Sequence, residues 1–193
     1  ERLLPMVCEL CEVTAIEPAE LSHIAVTVGP GTFAGVRIGL SAAKGMGLAL
    51  DIPLVPITTM QAIAYEYAHD NKDFSGKLAV AIDARRGEIY LQVFDINLGH
   101  CNAYNEAAAV PINTAKDEIH TSVSVVIGSA ADMLKDRNLH YAEGYNPPKA
   151  EMIAGWAEAS LSLAMESDQI SPLYLRAPDA ILPARQDMII IDG

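Results

Sequence analysis

This sequence predicts an α/β fold, on three observations. A short apolar run, His23 to Val28, meets a glycine turn, then a long apolar helix, then a second short run, Leu54 to Ile57. Strand, crossover helix and strand in that order make a parallel unit. Beyond residue 76 the periodicity changes: Lys77 to Asp83 and Glu88 to Asp95 are strands rich in Val, Ile and Tyr that flank a tight turn at Ala84-Arg-Arg-Gly87. Finally, 193 residues that are 51% hydrophobic suffice for a real core.

Taken in order, Glu1 to Val13 reads as a helix, with Leu3, Leu4, Val7, Leu10 and Cys11 at helical spacing. Pro5 is tolerated there only in the first turn. Glu17 to Leu21 is a polar connection to the first strand. That strand must stop at Gly29-Pro30-Gly31, because Pro30 removes a donor and glycine admits positive φ. Thr32 suits the N-cap of the central helix, Val36 to Leu50. Only Arg37 and Lys44 charge that helix, and Gly39, Ala42, Ala43, Gly45, Gly47 and Ala49 keep it slim. A glycine inside a helix costs about 1 kcal/mol relative to alanine, so three of them call for close packing of another backbone. A helix apolar on nearly every side is covered by its own lobe or by a partner.

Pro53 ends this helix ahead of the second strand. Thr58 or Thr59 caps a helix to about His69, with Met60, Ile63, Ala64 and Tyr67 on its apolar face. Asp70 to Gly76 is a polar linker, so residues 1–70 and 77–193 read as two lobes. Past the hairpin, Asn97 to His120 is polar and reads as loop with one extra strand. Ser122 to Ile127 is a strand, and a helix runs from the Gly128-Ser129 turn to about Lys135. Asn138 to Pro148 is loop. Glu151 to Met165 is an amphipathic helix with Ile153, Trp156, Ala157, Leu161 and Ala164 on one face, and Ser171 to Leu175 is extended.

The bulk numbers exclude some functions. A net charge of -12 repels phosphate backbones, so direct nucleic-acid binding by the isolated chain is not expected. No apolar run reaches bilayer-spanning length. Three cysteines, an odd number, suit reduced thiols and the cytoplasm.

Several motifs carry competing readings. Gly29, Gly31, Thr32 and Gly35 at a strand-to-helix turn form either a phosphate or nucleotide loop or a packing turn. Ser41-Ala-Ala-Lys44 matches a serine acylase motif but lacks that family's other two motifs. Cys8-Glu-Leu-Cys11 lies within a helix and has no second ligand pair, which favours packing over zinc. His23, His69, His100, His120 and His140 are never four apart, so no catalytic metal and no cofactor are expected. Asp83, Arg85, Arg86 and Glu88 crowd one turn, either as a solvated hairpin or as a partner contact. Arg176 and Asp179 interrupt an apolar terminal segment and carry the same ambiguity.

The run Gly29-Pro-Gly-Thr-Phe-Ala-Gly-Val-Arg-Ile-Gly-Leu-Ser-Ala-Ala-Lys-Gly45 resembles the signature of the TsaB (YeaZ) family. Glu1-Arg-Leu-Leu-Pro-Met6, Asp83-Ala-Arg-Arg-Gly-Glu-Ile-Tyr90 and Pro172-Leu-Tyr-Leu-Arg-Ala-Pro-Asp-Ala180 agree with it in the right order. The resemblance implies an actin-like ATPase or ribonuclease-H-like fold, here lacking the family's N-terminal β-hairpin, so that the chain reads as truncated or partial. It also implies a non-catalytic scaffold for making threonylcarbamoyladenosine at position 37 of certain tRNAs. TsaD, the transferase, and TsaE, the ATPase, are the implied partners. The rival reading is an independent peptidase of the glycoprotease type or an actin-like ATPase. The surplus apolar helix surface predicts a helical interface, used for a homodimer or for TsaD, built from Leu3, Leu4, Val7 and Leu10 with Arg37, Ile38, Ser41, Ala42, Gly45, Met46 and Ala49.

Overall fold

The computed structural model describes residues 2–119, 123–135 and 139–176. It is a mixed α/β structure with two sheets. Strands β1 (Ile24–Thr27) and β2 (Leu54–Ile57) pair in parallel. Between them runs α2 (Phe33–Leu50), and ahead of them α1 (Leu3–Thr14). The second sheet has the order β5-β4-β3-β7-β8, with β6 also paired to β4. Its strands are β3 (Ser75–Arg85), β4 (Glu88–Asn97), β5 (His100–Ala103), β6 (Ala108–Pro111), β7 (Val125–Ile127) and β8 (His140–Tyr141). β3 and β4 are antiparallel, whereas β7 runs parallel to β3 and β8 parallel to β7.

Local chemistry sets the element ends. The Thr32 hydroxyl accepts the Gly35 N–H at 3.2 Å and starts α2. Asp51 closes that helix in the left-handed conformation, φ 56°. Thr58, not Thr59, caps α3 (Thr59–Asp70) in a reciprocal box with Gln61. At the hairpin, Arg86 and Gly87 both have positive φ, the two-residue turn whose twist matches the strands.

The large sheet is covered on both faces. Leu78, Val80 and Ile82 of β3, with Phe94 and Ile96 of β4, face Met60, Ile63, Ala64, Tyr67 and Ala68 of α3. Ala79 and Ala81, with Leu91 and Val93, face Ala115 and Ile119 of α4 (Ile112–Ile119) and Leu134. Strands buried on both faces read as continuous apolar runs, as β3 does. A smaller core joins Val26, Val28, Leu40, Ala43, Leu54 and Ile170. Gly47 lets α2 lie on β2, because a Cβ there would stand 2.4 Å from Leu54 Cδ1.

Four sequence expectations need correction. The stretch Asn97 to His120 holds two short strands and α4, not one strand in loop. Ile112, Ala115 and Ile119 make a helical stripe, but eight residues are too few for it to stand out among polar neighbours. After Gly128 the chain forms only a 3₁₀ turn, Ala131–Leu134, because Ala130 N–H is held on the Ala81 carbonyl at 3.0 Å. The Asn138 to Pro148 loop contains β8. Lastly, α5 spans Ala150–Glu158 and does not reach Met165. Met165 instead exchanges two backbone hydrogen bonds with Leu54, at 2.8 and 2.9 Å, which draws the chain straight.

Candidate functional site

The helices α1 and α2 carry many of the exposed large apolar side chains of the described residues. α1 buries no residue, and α2 buries only Leu40, Ala43 and Gly47. Leu3, Leu4 and Leu10 of α1 are exposed and Val7 is half-buried. On α2, Arg37, Ile38, Ser41, Gly45 and Ala49 are exposed, while Ala42 and Met46 are half-buried. Leu48 is 79% exposed and Val13 80%, values at which these side chains gain nothing from their own fold. The glycines sharpen this. A Cβ on Gly47 would strike β2, whereas one on Gly39 or Gly45 meets no atom within 4 Å. Among the described residues, packing explains Gly47 and gives no reason for Gly39 or Gly45.

The glycine turn is built differently. Gly29 is buried at φ 107°, and a Cβ there would lie 3.0 Å from the Leu173 carbonyl. Its own carbonyl accepts the Thr59 N–H at 2.8 Å. Gly31, Thr32 and Gly35 are exposed. A Cβ on Gly31 would crowd Val36 at 3.2 Å, and one on Gly35 would displace the Thr32 cap at 2.6 Å. Each turn glycine thus has a packing reason.

Beside this turn lies a cluster that the sequence reading passed over. The rings of Phe33 and Tyr174 stack at 5.9 Å, and the Arg37 guanidinium sits 3.7 Å from the Phe33 ring centre. Arg37 Nε donates to the Tyr174 hydroxyl at 2.7 Å. The two aromatics are 141 residues apart in sequence, and no spacing rule joins them. Phe33 at the first turn of an exposed helix was the one available sign.

The charged hairpin is engaged from within. Arg85 N–H donates to the Asp83 carboxylate at 2.7 Å, and Asp83 N–H to the Ser129 hydroxyl at 3.0 Å. Glu88 pairs with Arg176, whose guanidinium also reaches the carbonyls of Ala84 at 3.3 Å and Arg85 at 3.5 Å. Arg86 is exposed at the turn tip. So the structure brings Asp83, Arg85 and Glu88 together with Arg176, which the sequence placed in a separate motif. Asp179 and His120 lie outside the described residues, as does the end of the motif at Ala177 to Ala180.

Among the described residues no group of three or more His, Cys, Asp or Glu is placed to hold a metal ion. None of their helices is long and apolar enough to cross a membrane. The cysteines are free: Cys8 is exposed, and Cys11 and Cys101 are half-buried. Burial pushes the Cys101 thiol up to about 12, so it stays protonated and unreactive at neutral pH. Iodoacetamide should therefore label Cys8 first, Cys11 more slowly, and Cys101 only on unfolding. Peptide mass mapping over time checks this, and equal rates at Cys8 and Cys101 would refute the protection.

Residues 1–125 match the family model described as TsaD: tRNA N6-adenosine threonylcarbamoyltransferase. The TsaB protein of Bacillus subtilis is 35% identical over 98 residues, covering 51% of this chain and 41% of that one. Escherichia coli TsaB is 33% identical over 90 residues, covering 47% and 38%. The chain thus matches about two fifths of the length of these curated relatives. Among solved structures, YeaZ from Pseudomonas aeruginosa superposes with a TM-score of 0.72 at 26% identity, over 90% of this chain and 83% of that one. The fold is accordingly of the actin-like, ribonuclease-H-like kind that the resemblance implied. A family model matched over well more than half of the sequence, with TsaB and YeaZ proteins as relatives, means that the chain belongs to the threonylcarbamoyltransferase family described as TsaD, among its TsaB (YeaZ) members.

Proposed function

We propose that this chain is a non-catalytic scaffold in the making of threonylcarbamoyladenosine in tRNA, acting in the cytoplasm. In this reading it pairs with the transferase subunit, TsaD, through the α1–α2 face and engages the ATPase subunit, TsaE. The observation that carries the proposal is the uncovered face itself. Two helices share it, Leu3, Leu4, Leu10, Ile38 and Ala49 are exposed on it, and a Cβ on Gly39 or Gly45 meets nothing among the described residues. Such a surface costs solubility unless a second helical pair covers it. The names of the curated relatives supply the pathway. The hairpin of Asp83, Arg85, Arg86 and Glu88 is assigned to partner contact, with the Arg176 grip as its supporting frame.

The same face serves a homodimer and the pairing with TsaD, so the two associations exclude one another. Gly45→Glu tests this more cleanly than Ala42→Glu, because a side chain at 45 meets open space in the monomer. In either complex that carboxylate would be buried without a partner. Sedimentation of wild type and variant, alone and with TsaD, should show both associations weakened tenfold or more, with circular dichroism unchanged. A variant that loses self-association yet binds TsaD with unaltered affinity would show that the surfaces differ.

A further inference from the structure

The extended segment from Ser171 to Arg176 crosses from the small sheet to the large one. Leu173 packs on the Val26, Val28 and Leu40 core, and its N–H donates to the Val28 carbonyl at 2.8 Å. That bond adds a backbone partner at the end of β1, directly over Gly29. One residue on, Tyr174 stacks on Phe33 and accepts from Arg37 of α2. Two residues further, Arg176 grips the β3–β4 hairpin through Ala84, Arg85 and Glu88. Upstream, Ile170 is buried in the small core. Four residues therefore link β1, the first turn of α2 and the hairpin.

The two ends of this strap differ in strength. Leu173 is held by apolar packing as well as a hydrogen bond. Arg176 is held by one ion pair and two long carbonyl contacts, and its side chain is 24% exposed. A charge-assisted contact of this kind outlasts water only while its partners are in place. Arg85 is exposed and Glu88 partly so, which lets an incoming basic side chain compete with Arg176 for those acceptors. Taking them would release Arg176, and with it the register that sets Tyr174 over Phe33.

We propose that Arg176 is the clasp of a conformational strap, coupling the charged hairpin to the first turn of α2, so that loosening the hairpin contact loosens Tyr174 and Leu173 together. The coupling is physical: a single short segment touches both places. The Asp83–Glu88 hairpin and the Phe33–Arg37 end of α2 then act as one responsive unit.

Amide exchange on the intact chain, read by NMR, tests this. Arg176→Ala should raise exchange at the Leu173 amide tenfold or more while amides from Leu78 to Ile82 in β3 keep their protection. Glu88→Gln, which leaves the two carbonyl contacts, should raise it less. Adding Glu88→Gln to Arg176→Ala should change nothing further, since both act through one clasp. Unchanged exchange at Leu173 in Arg176→Ala would overturn the proposal. So would an equal rise across β3, which would make Arg176 a contributor to global stability and not a local clasp.

Discussion

Gly128→Ala should destabilise the chain by roughly 3 kcal/mol or more, whereas Gly87→Ala should cost about 1 kcal/mol. Both glycines have positive φ, 102° and 79°. They differ in what a methyl group would meet. At Gly87 a Cβ finds nothing within 4 Å. At Gly128 it would lie 2.3 Å from the Ala81 carbonyl oxygen and 3.1 Å from its carbon. Those atoms cannot yield easily. Ala81 is fully buried in β3, the strand that β4 and β7 flank on its two sides. The same carbonyl accepts the Ala130 N–H at 3.0 Å, so the methyl would also displace a hydrogen bond of the turn. Next to it, Ser129 holds the Asp83 N–H, and the loss would spread to the hairpin. Urea denaturation with unchanged slopes measures both values. Equal losses at the two positions would mean that the close approach to Ala81 is not maintained in solution.

Much of the fold was legible because its cues are local. The first sheet announced itself through two apolar runs, Pro53, and the caps Thr32 and Thr58, each within four residues of what it terminates. The hairpin did so through the Ala84-Arg-Arg-Gly87 turn between two runs rich in Val, Ile and Tyr. What stayed hidden joins residues far apart. Met165 shortens α5 by pairing with Leu54, a strand edge far earlier in the chain. Glu66 and Lys149 are 83 residues apart, and Glu88 and Arg176 are 88 apart. No periodicity encodes such pairs. The candidate interface was legible in part. The surplus of apolar surface on α1 and α2 could be counted from sequence, but Gly47 looked equivalent to Gly39 and Gly45. Only the position of β2 separates Gly47 from Gly39 and Gly45, whose Cβ positions meet nothing among the described residues.

The buried carboxylate of Glu66 should prove the second most sensitive point. Glu66 is fully buried in α3, yet it faces the start of α5. Its Oε2 accepts the Lys149 N–H at 3.1 Å, at the N-cap of that helix, where an anion also meets the positive end of the dipole. Its Oε1 forms an ion pair with Lys149 Nζ at 2.8 Å, bent away from hydrogen-bond geometry. The contact with Glu66, and then its charge, raise the Lys149 pKa above the lysine value of 10.5. Glu66→Ala removes both acceptors and opens a void, and should cost roughly 2–4 kcal/mol. Glu66→Gln keeps the shape and one acceptor, and should cost about 1 kcal/mol. Lys149→Met should harm more than Glu66→Gln, because it leaves a buried carboxylate with only a backbone donor. Replacing both by methionine should recover most of that loss. The pH dependence has a definite sign. A raised lysine pKa in the folded state means that the pair contributes fully below pH 10.5 and fades as pH rises through the folded value. Wild type should therefore lose stability in that alkaline window, while Glu66→Gln loses less. Parallel pH curves for the two proteins, measured by thermal unfolding, would show that Lys149 is not coupled to Glu66.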